Sequence, residues 1–324
     1  MSGTAEAVRP QDDEQTAGPI DVPPAVTAVV PTHRRPELMR QAVQSIVDQT
    51  YAGPIEIIVV FDACDVELPD VDLGPHRTLR GVPNTRVRGL AGARNTGILA
   101  ASHAFIAFLD DDDHWMPGKL AAQMSVFADH PEVGLVGSGM RVDDGRTTHD
   151  RSVPQALVTH HDLVRDRIAS LHSSSFVFRR DVIVDRLGMI DEELPGAYGE
   201  DYDVLLRTSQ LVPIRLVDEP LVSVRWSGQS FFYGKWAQYA EGLTYLLQKH
   251  PALAADSDAH ARMSSQIGFA LAAAGRRREA RPWLRRALAR QRLNVRAWLG
   301  LLISWRLLSA DAIARVANLF GKGI

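Results

Sequence analysis

The chain has 324 residues, 45% of them hydrophobic, a formal net charge of −3 at pH 7 and a single cysteine, Cys64. That length and apolar content suffice for a self-sufficient core, and one cysteine excludes an internal disulfide framework. The charge argues against a surface devoted to nucleic acid; no run of about 18 apolar residues marks a membrane span; no basic-then-apolar leader marks secretion. A cytoplasmic location is therefore expected, with peripheral contact at the inner face of a membrane left open.

Residues 1–24 are polar and acidic and end at Pro23-Pro24, which by composition is a disordered leader. From Ala25 the pattern changes. Val26 to Val30 is a short β-rich run, Pro31-Thr32 breaks it, and Glu37 to Asp48 has the apolar spacing of a helix. Ile55 to Phe61 is a second strand-length apolar run, followed by Asp62; Ala104 to Leu109 is another, followed by four aspartates. Alternating strands and helices predict a mainly parallel sheet, which binds ligands at the carboxyl ends of its strands. Thr32, Asp62 and Asp110 to Asp113 all belong at that edge. After about Phe232 the β-rich runs stop, and the remainder, with Leu243, Leu246 and Leu247 on one stripe, predicts an α-helical region.

A buried strand that delivers Asp110 to Asp113 to one place does so at electrostatic cost, since the carboxylates repel one another or hold protons. A hard divalent ion, Mg²⁺ or Mn²⁺, relieves that repulsion and also bridges the phosphates of a nucleotide. One aspartate alone would be read as a turn or as the cap of a helix beginning near Pro117; four together favour the metal.

Four runs, in order, resemble glycosyltransferase family 2: Val29-Val-Pro-Thr-His-Arg-Arg-Pro36, Val59-Val-Phe-Asp62, Gly92-Ala-Arg-Asn-Thr-Gly97 and Phe108-Leu-Asp-Asp-Asp-Asp113. The resemblance implies a GT-A fold, Rossmann-like with a mainly parallel central sheet flanked by helices, over residues 25–232, and a C-terminal α-helical appendage over 233–324. It puts Pro31, Thr32 and Asp62 against the nucleobase and ribose, and makes Asp110 and Asp112 the Asp-x-Asp metal motif, with Asp112 as the direct metal ligand. Asp110 and Asp111 then lie near the ribose or phosphates, and Asp113 is a fourth member of unassigned role. Arg94 and Asn95, read as preceding a helical segment, would brace the diphosphate, either directly or through nearby backbone amides; the alternative for Arg94 is a surface pairing with one of the aspartates.

Gly199-Glu-Asp-Tyr-Asp203 precedes Val204-Leu-Leu206, so Glu200 and Asp201 start a helix, whose positive end favours acids. Capping alone would explain them. The segment also resembles the Glu-Asp motif of family 2, which carries Asp201 over as general base and Glu200 as its neighbour in the acceptor site. One base and one displacement imply inversion. Leu221-Val-Ser-Val-Arg-Trp-Ser-Gly228 lies where relatives have an Arg-x-His segment; Arg225 is carried over to the diphosphate, while Ser227 replaces the histidine and removes an imidazole from the metal's ligands. His172 and His114 are read as structural first, with the acceptor pocket as the alternative for His172 and contact with either substrate for His114.

Ile267-Gly268, Ala280, Leu284 and Ala287, followed about 34 residues on by Trp298 and Leu301, resemble a tetratricopeptide helical pair, with Arg292 where a proline is common. Such a unit packs on the catalytic domain, on a second subunit or on a protein partner. Ala297 to Phe320 reads alternatively as an amphipathic helix on an anionic membrane, with Trp298, Leu302, Trp305 and Leu308 inserted.

The sequence thus predicts a metal-dependent, inverting glycosyltransferase. Its donor is a nucleotide-sugar, UDP by family habit with GDP and dTDP open, and its acceptor is a hydroxyl of a glycan, a lipid-linked sugar or a small molecule. A sugar nucleotidyltransferase and a noncatalytic scaffold presenting the helices are the competing readings.

Overall fold

The computed structural model describes residues 22–153, 155–226 and 235–309; the 1–24 leader, Ser227 and the end of the amphipathic stretch lie largely or wholly outside them. In chain order the first half runs β1 (Val26–Thr32), α1 (Pro36–Val47), β2 (Ile55–Phe61), β3 (Arg77–Pro83), α2 (Leu90–Ala100), β4 (Phe105–Phe108), β5 (His114–Trp115) and α3 (Lys119–Asp129). The second half adds β6 (Leu135–Asp143), β7 (Thr148–Arg151), β8 (Leu157–Val158), α4 (His160–Arg165), β9 (Val177–Arg179), α5 (Glu200–Leu211) and β10 (Ile214–Arg225). Helices α6 (Trp236–Lys249), α7 (Pro251–Ala255), α8 (Ser257–Ala273), α9 (Arg277–Arg290) and α10 (Val295–Ser304) follow.

One sheet holds every strand, in the order β3-β2-β1-β4-β9-β6-β10-β5, with β7 beside β6 and β8 beside β10. β3, β2, β1 and β4 are mutually parallel, as are β6 and β10, while β9 runs antiparallel between the two blocks. β1 and β2 are buried almost throughout, which is why they read as continuous apolar runs without alternation. Because β2 lies on one side of β1 and β4 on the other, the crevice beyond their carboxyl ends is a topological switch point.

Pro31 does not break β1. Strand pairing with β2 continues through Pro31 to Thr32. Val29 offers its carbonyl to Leu109 on the β4 side, and Pro31, two residues on, faces that same side, where pairing with β4 has ended at Val29–Phe108. Its missing N–H therefore costs the ladder nothing.

The core is continuous from the sheet into the C-terminal helices: Phe176 and Leu206 belong to the same buried cluster as Tyr198, Leu243, Leu284 and Leu301. Leu284 of α9 is pressed between Gly268 of α8 and Gly300 of α10; a Cβ at either glycine would come within 2.7 Å and 2.6 Å of its side chain. Among the described residues no helix is long and apolar enough to cross a membrane.

Candidate active site

The strand-end residues do converge. Thr32, at the end of β1, donates its hydroxyl to Asp111 at 2.8 Å, and Arg35, just beyond it, reaches both Asp111 (3.1 Å) and Asp112 (3.0 Å). Pro31 is buried beside Thr32. Asp62 accepts from the Asn84 amide at 2.8 Å and from the Gly89 N–H at 3.0 Å, tying the end of β2 to the loop that leads into α2.

After β4 the chain turns sharply, with Asp113 N–H donating to the Asp110 carbonyl at 3.1 Å. Asp113 is buried at 2% exposure, where it accepts from Ser174 Oγ (2.6 Å) and from the Arg225 backbone N–H (3.2 Å). His172 Nδ1 lies 3.3 Å from it. Ligand atoms of Asp110, Asp113 and His172 all lie within 4.8 Å of one another; Asp112 stands outside this group, half-exposed and paired to Arg35. Arg225 is exposed and contributes its backbone here.

Burial dominates the electrostatics of the run. It pushes Asp113 up to about 7, against the pull of His172, and raises Asp111 and Asp112 as well. For Asp110 burial acts in the same direction, but the charges of Arg94 and His172 outweigh it and hold the carboxyl below its ordinary value.

Arg94 accounts for that difference. It sits inside α2, which begins at Leu90 after Gly89, so it neither precedes the helix nor lies on the surface. At 1% exposure its guanidinium is clasped by Asp110 and Glu200 and donates to Ser173 Oγ at 2.9 Å. One buried cation thus joins α2, the turn after β4 and the start of α5. Its neighbour Asn95 points elsewhere: it pins Ile190 through both backbone groups (2.8 and 2.9 Å) and Glu192 (2.6 Å), so it serves the loop before α5 rather than the acidic cluster.

Gly199, at φ 84°, makes the left-handed turn that starts α5. Glu200, Asp201 and Asp203 fill the first turn, where the helix dipole favours acids. Glu200 is buried, and burial raises it to about 7 despite Arg94. Asp201 is paired with Arg167, which comes from the loop after α4, where Ile168 has a positive φ of 51°.

Arg35, Arg167 and Ser173 are site residues that sequence reasoning missed. Arg35 lies within the Val29-to-Pro36 motif and Ser173 beside His172, so each had a positional signal; Arg167 had none.

A mainly parallel sheet with an acidic switch-point edge, flanked by helices and closed by a C-terminal helical region, is the GT-A glycosyltransferase architecture. S. aureus TarS (residues 1–349), solved in complex with UDP-GlcNAc, superposes with a TM-score of 0.57 over 92% of both chains at 16% identity. The Pyrobaculum calidifontis mannosyltransferase PcManGT, in complex with GDP-Man and Mn²⁺, gives 0.52 over 95% of this chain and 92% of its own at 20% identity. Residues 27–187 match the model of Glycosyl transferase family 2, and the chain belongs to that family. It is 26% identical over 177 residues to the Escherichia coli UDP-Glc:alpha-D-GlcNAc-diphosphoundecaprenol beta-1,3-glucosyltransferase WfgD, covering 55% of this chain and 66% of that one. It is 29% identical over 231 residues to the Mycobacterium tuberculosis pre-mycofactocin glycosyltransferase, covering 64% and 46%. The chain therefore spans about two thirds or less of the length of these curated relatives.

Proposed function

We propose that the protein moves a sugar from a nucleotide-sugar to an acceptor hydroxyl in one in-line displacement with inversion, Asp201 acting as the base. The observation that carries this reading is the single buried guanidinium, Arg94, that ties the strand-end acids to the helix start bearing Glu200 and Asp201. A donor lying along the strand edge would present its anomeric carbon to Asp201, and the acceptor's proton would pass to that carboxylate as the new C–O bond forms.

In this reading Pro31, Thr32, Asp62 and Asp111 border the nucleobase and ribose, while Asp110 and Arg225 face the diphosphate. Arg94 and Glu200 hold Asp110 and Asp201 in register. Asp201 must exchange Arg167 for the acceptor. An open hollow of about 490 Å³ lined by Arg151, Ser152, Gln155 and Ser170, and by Asp166 and Ile168, the chain neighbours of Arg167, is where the acceptor would enter.

The donor set of Asp110, Asp113 and His172, two carboxylates and an imidazole with Asp113 short of countercharge, fits a divalent cation. His172 would supply the imidazole that Ser227 lacks, and Asp112 would complete the acidic shell. Bound Mg²⁺ or Mn²⁺ supplies neutralisation of the departing diphosphate. UDP is favoured as the nucleotide because WfgD is a UDP-Glc enzyme and TarS binds UDP-GlcNAc; PcManGT, with GDP-Man, keeps GDP second. Helices α6 to α10 serve as an integral buttress, with the tetratricopeptide reading of α8 to α10 as its finer form.

Calorimetry with UDP, GDP and dTDP, each with and without Mn²⁺, tests the proposal before any acceptor is known. Metal-dependent binding of one nucleotide is expected. Folded protein that binds none of them would return the scaffold reading to the front.

A further inference from the structure

The last described helix buries one face. Ala297, Gly300, Leu301 and Ile303 are buried in α10, which packs on α8 and α9. Val295, Trp298, Leu302 and Trp305 recur at three- and four-residue spacing and so form a second stripe. Trp298 and Trp305 are 47% and 49% exposed, and Leu293 and Leu307 flank the stripe at 90% and 66%.

The surrounding charge is as lopsided as the apolar surface. Segment 276–306 holds ten arginines and one acid, Glu279, a formal +9, which leaves −12 for the rest of a chain whose net charge is −3. Arg278, Arg285, Arg286, Arg290, Arg292 and Arg306 are exposed. Arg281 donates to the Ser304 carbonyl at 3.2 Å, which lays its row of α9, with Arg285 one turn on, along the flank of α10.

We infer that the α9–α10 face docks the protein on an anionic lipid surface. Tryptophan favours the headgroup level, where its amphipathic ring fits the boundary between tails and water, and arginine pairs with lipid phosphates. The two requirements meet where exposed Arg292 offers its carbonyl to the Trp298 N–H at 2.9 Å. A nucleic acid would engage the arginines but leave Leu293, Val295 and Leu307 in water, and a second copy paired through this same face would set one +9 segment against another. The −12 carried elsewhere is repelled by the same lipid, so the protein sits on it in one orientation.

The test is co-sedimentation of the full-length protein with vesicles of phosphatidylcholine alone and of phosphatidylcholine mixed with phosphatidylglycerol. Pelleting with the mixed vesicles only, weakened by salt, is expected. The Trp298→Ser/Trp305→Ser variant should bind roughly ten-fold more weakly, and Arg285→Gln and Arg292→Gln roughly five-fold each, with unchanged circular-dichroism melting. No pelleting with mixed vesicles, equal pelleting with both kinds, or full binding by the folded double-tryptophan variant would overturn the inference. None of these readouts depends on the donor or on catalysis.

Discussion

Helix α5 feeds carboxylates into two buried clusters of opposite electrical character. At its start, Glu200 and Asp201 join Asp110 to Asp113 around Arg35, Arg94, Arg167 and His172, six carboxylates against three guanidinium groups and an imidazole. Further along the same turn, Asp203 joins Asp191 with Arg207, Lys249 and His250, two carboxylates against two fixed cations and an imidazole. Burial is the leading influence on both. In the first cluster it prevails at Asp113 and Glu200, leaving both at about 7; in the second, His250, Arg207 and Lys249 overcome it and hold Asp203 at about 2. A network that neutralises itself is finished as structure, whereas one with negative charge to spare is suited to a cation and a phosphorylated ligand.

The two clusters also answer pH in opposite senses. Glu200, raised from 4.5 to about 7, stabilises the fold fully below its ordinary value and loses that contribution as pH climbs through 7. Asp203, lowered from 3.8 to about 2, contributes fully above its ordinary value and loses it as pH falls through 2.

Replacing Asp201 by Asn should break the comparison most visibly. Turnover is expected to fall roughly 10²- to 10⁴-fold, with calorimetric nucleotide affinity unchanged, and full turnover would remove Asp201 as the base. Arg94→Met strips the acidic cluster of its buried cation and should destabilise the protein by about 3–5 kcal/mol in urea unfolding; a loss under about 1 kcal/mol would mean that Asp110 and Glu200 do not depend on it. Asp203→Asn should cost on the order of 2 kcal/mol at neutral pH. That difference should shrink toward pH 2, and a gap that stays constant with pH would show that the ion pairs are not its source. The smallest effect belongs to Arg35→Gln, because that guanidinium is 46% exposed: less than about 1 kcal/mol of stability, with the change appearing instead in Mn²⁺-dependent nucleotide binding.

What was legible in the sequence was local. Ile55 to Phe61 reads as a strand because both its faces are buried, and the polar residues that end such runs mark the sheet's ligand edge. The acidic helix start at Glu200 was equally plain, and the structure begins α5 there. What stayed hidden depends on distant partners. Arg94 meets Glu200 106 residues away and Ser174 meets Asp113 61 residues away, so neither the burial of Arg94 nor the clustering of His172 with the aspartates could be read from spacing. β9 has only three residues, and β10 is interrupted by register shifts around Pro220, which erases the alternation that marks a strand.

The bonds from Asp203 to Lys249 and His250 cross the boundary expected at residue 232. A protein shortened to that point would keep every residue of the proposed nucleotide pocket, yet α5 would lose the anchors of its first turn, two residues beyond Asp201. The C-terminal helices are thus tied into the catalytic half as a brace, one that holds the turn carrying the proposed base.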